Sequence, residues 1–156
     1  MELSIHRVAE GKKSYMPLLL MADEEEDMID RYIGVGDMYV MHDGERPVAV
    51  AVVVTCGAPE EAEGADVEIK NLAVAPEYRR KGLGRMMIEH VCALSPKGVS
   101  VFVGTGETPE TMDFYQKCGF VYSHRVKDFF IENYTKPIVD HGILLRDMIY
   151  FVRRVL

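Results

Sequence analysis

Gly82 and Gly84 stand where a helical pattern begins, and four cations, Arg79, Arg80, Lys81 and Arg85, surround them. This composition suits an anion. The first N–H groups of a helix have no partner within it and the helix dipole favours negative charge there, so a phosphate or pyrophosphate can settle on them. Glycines let such a ligand approach the backbone closely. Spacing excludes two other phosphate loops: no G-x-x-x-x-G-K-[ST] is present, and Met87 holds the place of the third glycine in a G-x-G-x-x-G. Taken alone, the segment fits a basic helix start facing water equally well.

The strand that leads into this loop has an uneven pattern. Val67 and Ile69 share one face by alternation, whereas Leu72 and Val74 fall in the opposite phase, so the period of two slips once near Lys70 and Asn71. A β-bulge produces such a slip and leaves backbone N–H and C=O groups unpaired, where a ligand can use them. A polar residue in an irregular strand gives the same pattern, and both readings stand at this level.

The elements that must position these residues follow from periodicity. Leu3 to Val8 alternates as a strand, Lys12 to Ile33 carries a broken helical pattern, and Asp37 to His42 with Arg46 to Cys56 forms a hairpin around Asp43-Gly44. Ala58 to Gly64 is a Pro-, Glu- and Ala-containing loop, and Asp66 to Ala75 is the next strand. Leu83, Met86, Met87, Val91 and Leu94 give Gly82 to Leu94 one apolar helix face, closed by Ser95-Pro96-Lys97-Gly98. Val99 to Val103 is a strand, Thr108 to Lys117 a helix stopped near Gly119, and Phe120 opens another strand. Ile143 to Val155 is expected as one last strand, apolar on both faces from Leu144, which fits a strand that extends a neighbour's sheet and a strand buried within its own chain equally well. The class is mixed α/β around a central sheet, in one domain spanning 1–156.

Composition narrows the function. With 25 acidic and 18 basic residues among 156, the net charge of −7 disfavours nucleic acid and anionic lipid as partners and is compatible with a cationic substrate. Cys56, Cys92 and Cys118 form no C-x-x-C pair, so neither a disulfide framework nor a zinc site is expected. The longest apolar run, Val48 to Val54, suits a buried strand and is too short to cross a bilayer; a soluble, cytoplasmic protein is expected. The five histidines occupy no metal or nucleophile motif, and no metal is expected.

Arg79-x-x-Gly82-x-Gly84 between a strand and a helix, followed by Tyr115-x-x-x-Gly119-Phe120, resembles the two characteristic segments of the GNAT acetyltransferase superfamily. The resemblance covers Asp37 to Phe120. Asp128-Phe129-Phe130, Asn133-Tyr134 and Arg146-Asp147-Met148 are similar to a smaller bacterial subgroup of the same superfamily. It implies a mixed, mostly antiparallel sheet with splayed central strands flanked by helices. It further implies an N-acetyltransferase that moves the acetyl group of acetyl coenzyme A to a primary amine of a small molecule or peptide, by direct transfer in a ternary complex, in a homodimer.

Residue by residue, the resemblance implies that Arg79, Arg80, Lys81, Gly82, Leu83, Gly84 and Arg85 hold the diphosphate. The backbone of Leu72, Ala73 and Val74 would pair with the pantetheine arm, the Leu72 N–H polarising the thioester carbonyl. Glu68, four residues before Leu72, occupies the place of a proton-accepting carboxylate, though a solvent-facing strand glutamate has the same spacing. Tyr115 would hydrogen-bond or protonate the departing thiolate; its alternative is a core aromatic. Where the superfamily usually has a cofactor-contacting Asn, this chain has Glu107 and Thr108, and Thr108 can cap the helix instead. The run Asp23 to Asp27 falls where the first two helices border the acceptor, and equally fits a solvated helix start. A different class of function, an acyl coenzyme A sensor without catalysis, would keep the loop and act through a partner protein.

Overall fold

The computed structural model describes residues 1–56 and 64–156, so the expected loop from Ala58 lies, up to Glu63, outside the described residues. Seven strands form one sheet: β1 (Leu3–Val8), β2 (Asp37–Asp43), β3 (Arg46–Thr55), β4 (Val67–Val74), β5 (Ser100–Gly106), β6 (Val121–Val126) and β9 (Met148–Arg154). Their order is β1-β2-β3-β4-β5-β9-β6, and every neighbouring pair is antiparallel except β4 and β5, which run parallel. A separate two-stranded ribbon joins β7 (Val139–Asp140) to β8 (Ile143–Leu144).

Helices cover both faces of the sheet. The broken pattern of residues 12–33 resolves into a 3-10 turn, Lys12–Tyr15, followed by α1 (Met16–Ala22) and α2 (Glu26–Ile33). Leu18, Leu19, Ile29 and Ile33 pack on Val40, Val50, Val52 and Ala73. On the other face, α3 (Leu83–Leu94) and α4 (Pro109–Lys117) meet Ile69, Val101, Val103, Ile149 and Phe151. With both faces covered, β3 has no polar alternation from Val48 to Val53, all buried, as a doubly covered strand requires. In α3 the buried stripe is Leu83, Met87, Ile88, Val91 and Cys92, whereas Met86 and Leu94 face water. Among the described residues, no helix is long and apolar enough to cross a membrane.

The expected last strand is corrected in its bounds. Ile143 and Leu144 belong to the ribbon and β9 begins only at Met148, because Leu145 turns inward to pack with Phe130 and Ile138 while its backbone N–H bonds the Ile138 carbonyl at 2.9 Å. Of the two readings of this strand the buried one holds, since β9 pairs with β5 on one side and β6 on the other. Sequence reading also missed α5 (Phe129–Asn133), a single short turn that buries Phe130.

Candidate active site

The phase slip in β4 is a bulge. Val52 of β3 faces Asn71 and the next residue, Val53, faces Ile69, leaving Lys70 as the extra residue. The insertion lets Val67 and Ile69 on one side of it, and Leu72 and Val74 on the other, all pack toward the α3 layer. On the opposite edge of β4 the parallel ladder with β5 ends at Ile69 and Val103, although β4 runs on to Val74 and β5 to Gly106. The two central strands therefore part just where the bulge sits.

Alternation decides which groups line this opening. The Ala75 N–H donates to Val48 O at 2.8 Å, toward β3. In an antiparallel ladder, residues two apart point their N–H and C=O the same way, so Ala73 also faces β3, and Leu72 and Val74 turn theirs into the opening. Of the three residues expected to offer backbone groups, Ala73 thus does not. The Val74 carbonyl accepts a bond from Arg79 Nε at 3.1 Å, which draws the first cation of the loop to the mouth of the opening.

The loop begins with a 3-10 turn, Pro76–Tyr78, and enters α3 at Gly82, whose φ of 82° is left-handed and favours glycine. Arg80 is also left-handed at φ 62°, a conformation that costs a non-glycine residue energy and is held here by the loop. Arg79, Arg80, Lys81 and Arg85 are exposed and Leu83 is buried. Gly84 has a different reason from Gly82: a Cβ there would lie 3.0 Å from Phe114 Cζ, so this glycine admits the α4 aromatic. Arg85 Nη2 bonds the Lys117 carbonyl and Arg153 bonds the Cys118 carbonyl at 3.0 Å, so both cap the C-terminus of α4. Arg46 and Lys81 lie over the Tyr78 ring at 5.2 and 5.4 Å, adding charge beside the loop.

Glu68 sits before the bulge on the α1 side of the sheet, its carboxylate 3.1 Å from Lys70 Nζ, with only 16% of its side chain exposed. It is not a solvent-facing strand glutamate. Tyr115 is buried against Phe114, Phe120 and Phe151, with ring centroids 5.1 to 6.3 Å away, and its hydroxyl makes no hydrogen bond to a described residue. Burial pushes this phenol well above the usual tyrosine range. Part of the Tyr115-x-x-x-Gly119-Phe120 spacing is helix termination: Gly119 is left-handed at φ 91°, Phe120 N–H returns to Tyr115 O at 3.0 Å, and Gly119 N–H bonds Gln116 O. Thr108 is fully buried, begins α4, and bonds the Thr111 hydroxyl at 2.9 Å rather than a backbone N–H. Its side chain serves the helix start and offers no surface to a ligand.

The acidic run proves to be only partly solvated. Asp23 is buried and accepts hydrogen bonds from Tyr32 at 2.9 Å and Tyr134 at 2.6 Å, while Asn71 Nδ2 donates to the Tyr32 oxygen at 3.1 Å. Glu25 accepts bonds from Thr135 N–H and hydroxyl and from Lys136 N–H. These contacts tie the α1–α2 junction both to the bulge and to the segment after α5. Burial holds the Asp23 carboxyl above the usual carboxylate range, against the lowering effect of the two phenols. A raised native pKa means that the stability this group contributes is full below its unfolded value, about 4, and is lost as pH rises through the native one. Relative to the Asp23→Asn variant, the unaltered protein should therefore lose thermal stability as pH rises above about 4. A midpoint difference that stays constant above that pH would contradict the assignment.

The family model described as Acetyltransferase (GNAT) domain matches residues 34–122, which contain the bulge, the loop and α4. The N-acetyltransferase YvbK of Bacillus subtilis (strain 168), itself uncharacterized, is 30% identical over 151 residues, 95% of this chain and 94% of that protein. The chain belongs to the GNAT acetyltransferase family. It is an acyltransferase, and the donor of that family is acetyl coenzyme A. Among solved GNAT structures, a family member from Elizabethkingia anophelis with acetyl-CoA bound superposes with a TM-score of 0.86 at 28% identity, covering 98% of each chain. A Bacillus subtilis acetyltransferase in complex with CoA gives 0.82 at 31% identity and 99% coverage of each. Among the described residues, no group of three His, Cys, Asp or Glu is placed to hold a metal ion.

Sequence reasoning missed Tyr150 and Gly104 beside this GNAT opening. The signal for them was present, since an interior strand glycine often marks a close approach, and Gly104 lies within β5.

Proposed function

We propose that this enzyme transfers the acetyl group of acetyl coenzyme A directly to a primary amine, with Glu68 as proton acceptor and Tyr115 as the partner of the leaving sulfur. The observation that carries the reading is the coincidence of the bulge, the parting of β4 from β5, and the turn of the Leu72 and Val74 backbone into the gap. Leu72 N–H then faces the place where the thioester oxygen gains charge, and a preorganised donor acts there without reorganisation.

An ammonium loses its proton to the Glu68 carboxylate, directly or through a water, and the free amine attacks the thioester carbon. The carbonyl oxygen takes up negative charge at Leu72 N–H, a C–N bond forms, and collapse breaks the C–S bond. Because burial raises the Tyr115 pKa, its phenol keeps its proton and stabilises the thiolate by donating a hydrogen bond to it. The Glu68 proton and the one shed by the new amide leave to solvent and thiolate. Positioning of amine and thioester supplies much of the acceleration. The exposed Arg79, Arg80 and Lys81 with Gly82 supply charge and N–H groups for the diphosphate.

The test is thermal unfolding with and without acetyl coenzyme A. A ligand at about 100 times its Kd adds about 2.7 kcal/mol, which for a chain of this size raises the midpoint by roughly 5 to 10 °C. The shift should vanish in an Arg79→Ala, Lys81→Ala, Gly82→Ala variant. No shift at saturating ligand in the unaltered protein would sink the reading. Thiol release with propylamine, phenethylamine, spermidine, glycinamide and lysine then sorts the acceptor.

A further inference from the structure

We infer that Tyr150 is a positioning residue for the acetyl transfer, reaching across Gly104 to hold the Glu68 carboxylate at the mouth of the opening between β4 and β5. The inference rests on Glu68 being the proton acceptor.

Glu68 on β4 faces Phe102 on β5, and two residues further along β5 Gly104 faces Tyr150 on β9. Ile149 and Phe151 point to the α3 layer, so alternation sends Tyr150 to the other face, the one that carries Glu68 and Asn71. A residue on β9 would normally be separated from β4 by the side chains of the strand between them. Here that barrier is missing at one position. A Cβ on Gly104 would lie 2.9 Å from Met148 Sδ and 3.0 Å from both Cε1 and Cζ of Tyr150, so the ring packs directly against this backbone. Gly104 has no left-handed φ, and close approach is the reason for glycine there.

The ring is fixed from its other side. His124 on β6 stacks on Tyr150 with centroids 4.6 Å apart and planes 2° from parallel. Tyr150 is half-buried, and its phenol is pushed up to about 12, first by burial and then by the adjacent Glu68 carboxylate. The phenol thus remains protonated and can donate to Glu68, while Lys70 approaches the same carboxylate at 3.1 Å. A strand glutamate with one long lysine partner can swing; flanked by a ring locked between a glycine and a histidine, it has one place to be. Misplacing a proton acceptor by about 1 Å can cost about 100-fold in rate, so a residue that fixes it matters without touching substrate.

The test compares Tyr150→Phe, Glu68→Gln and the double variant, assayed by thiol release with acetyl coenzyme A and the amine from the five above that turns over fastest. Tyr150→Phe keeps the ring and removes only the hydroxyl. It should lower kcat about tenfold, leave KM for acetyl coenzyme A unchanged, and keep the acetyl coenzyme A midpoint shift. The double variant should be no slower than Glu68→Gln alone, because a residue acting through Glu68 has nothing left to position. Gly104→Ala, which drives a methyl into the ring, should reproduce the kcat loss. Wild-type kcat in Tyr150→Phe, or losses that multiply in the double variant, overturn the inference while leaving the base reading intact. A Glu68→Gln enzyme at full rate, or no turnover of any of the five amines by the unaltered protein, overturns the base reading and this inference with it.

Discussion

Glu68→Gln should lower kcat by about 100-fold at neutral pH while leaving the KM for acetyl coenzyme A near its original value. Glutamine keeps the volume of glutamate and can still meet Lys70, so the sheet is not disturbed; it cannot take a proton. On the proposed roles the loss falls on kcat, because the carboxylate would act on the amine rather than on coenzyme A. A pH series distinguishes this from general damage. Below an amine pKa of about 10.4, the free amine in solution rises tenfold with each pH unit, and an enzyme that has lost its base must wait for that fraction. The variant's kcat/KM for the amine should rise in that proportion and approach the unaltered enzyme near pH 10. A variant as fast as the unaltered protein at neutral pH would remove Glu68 from the mechanism.

Deleting Lys70 should weaken acetyl coenzyme A binding at least about tenfold in a protein that still folds. The prediction follows from register. On either side of the bulge β3 and β4 already pair regularly, Val52 with Asn71 and Val53 with Ile69, and removing the one unpaired residue joins these ladders without a step. Ile69 and Leu72 keep their common face, so the core stays filled. The deletion costs the ion pair with Glu68, a partly exposed contact worth roughly 0 to 1 kcal/mol, and removes a bulge. The unfolding midpoint is therefore expected to stay or rise. What disappears is the bend that carries Leu72 and Val74 away from β5, and with it the backbone groups offered to the ligand. Affinity should fall at least tenfold or so, from lost hydrogen bonds worth about 1 kcal/mol each and from closure of the gap. Lys70→Ala, which keeps the bulge, should retain the midpoint shift with acetyl coenzyme A. A deletion protein that shows the full shift would mean that the opening is held by something other than the bulge.

Much of the site was legible because its signals are local. The phase slip in β4 showed in a period of two, where it fitted a bulge and an irregular strand alike, and the loop showed as glycines and cations at a helix start. The hairpin at Asp43-Gly44 and the stop of α4 at Gly119 were visible for the same reason, since turn chemistry lies within a few residues of the turn it makes. The two loop glycines were not distinguishable in sequence, one being required by its φ and the other by the Phe114 ring.

By itself, then, the sequence determined most of the elements, the phase slip in β4 and the cluster of glycines and cations at the start of α3, because each depends on the order of residues along a few turns or one strand. Only the tertiary structure decided which of these residues meet. Ile143 to Val155 breaks in two because Leu145 is buried by Phe130 and Ile138, and Thr108 is fully buried at the start of α4, where it bonds Thr111. Asp23 leaves the solvated run because Tyr134, 111 residues away, donates to it. Tyr150 reaches Glu68 only because strand order sets β5 between them and residue 104 has no side chain. Contacts between residues far apart in the chain follow from strand order and close packing, and neither leaves a period in the sequence from which it can be read.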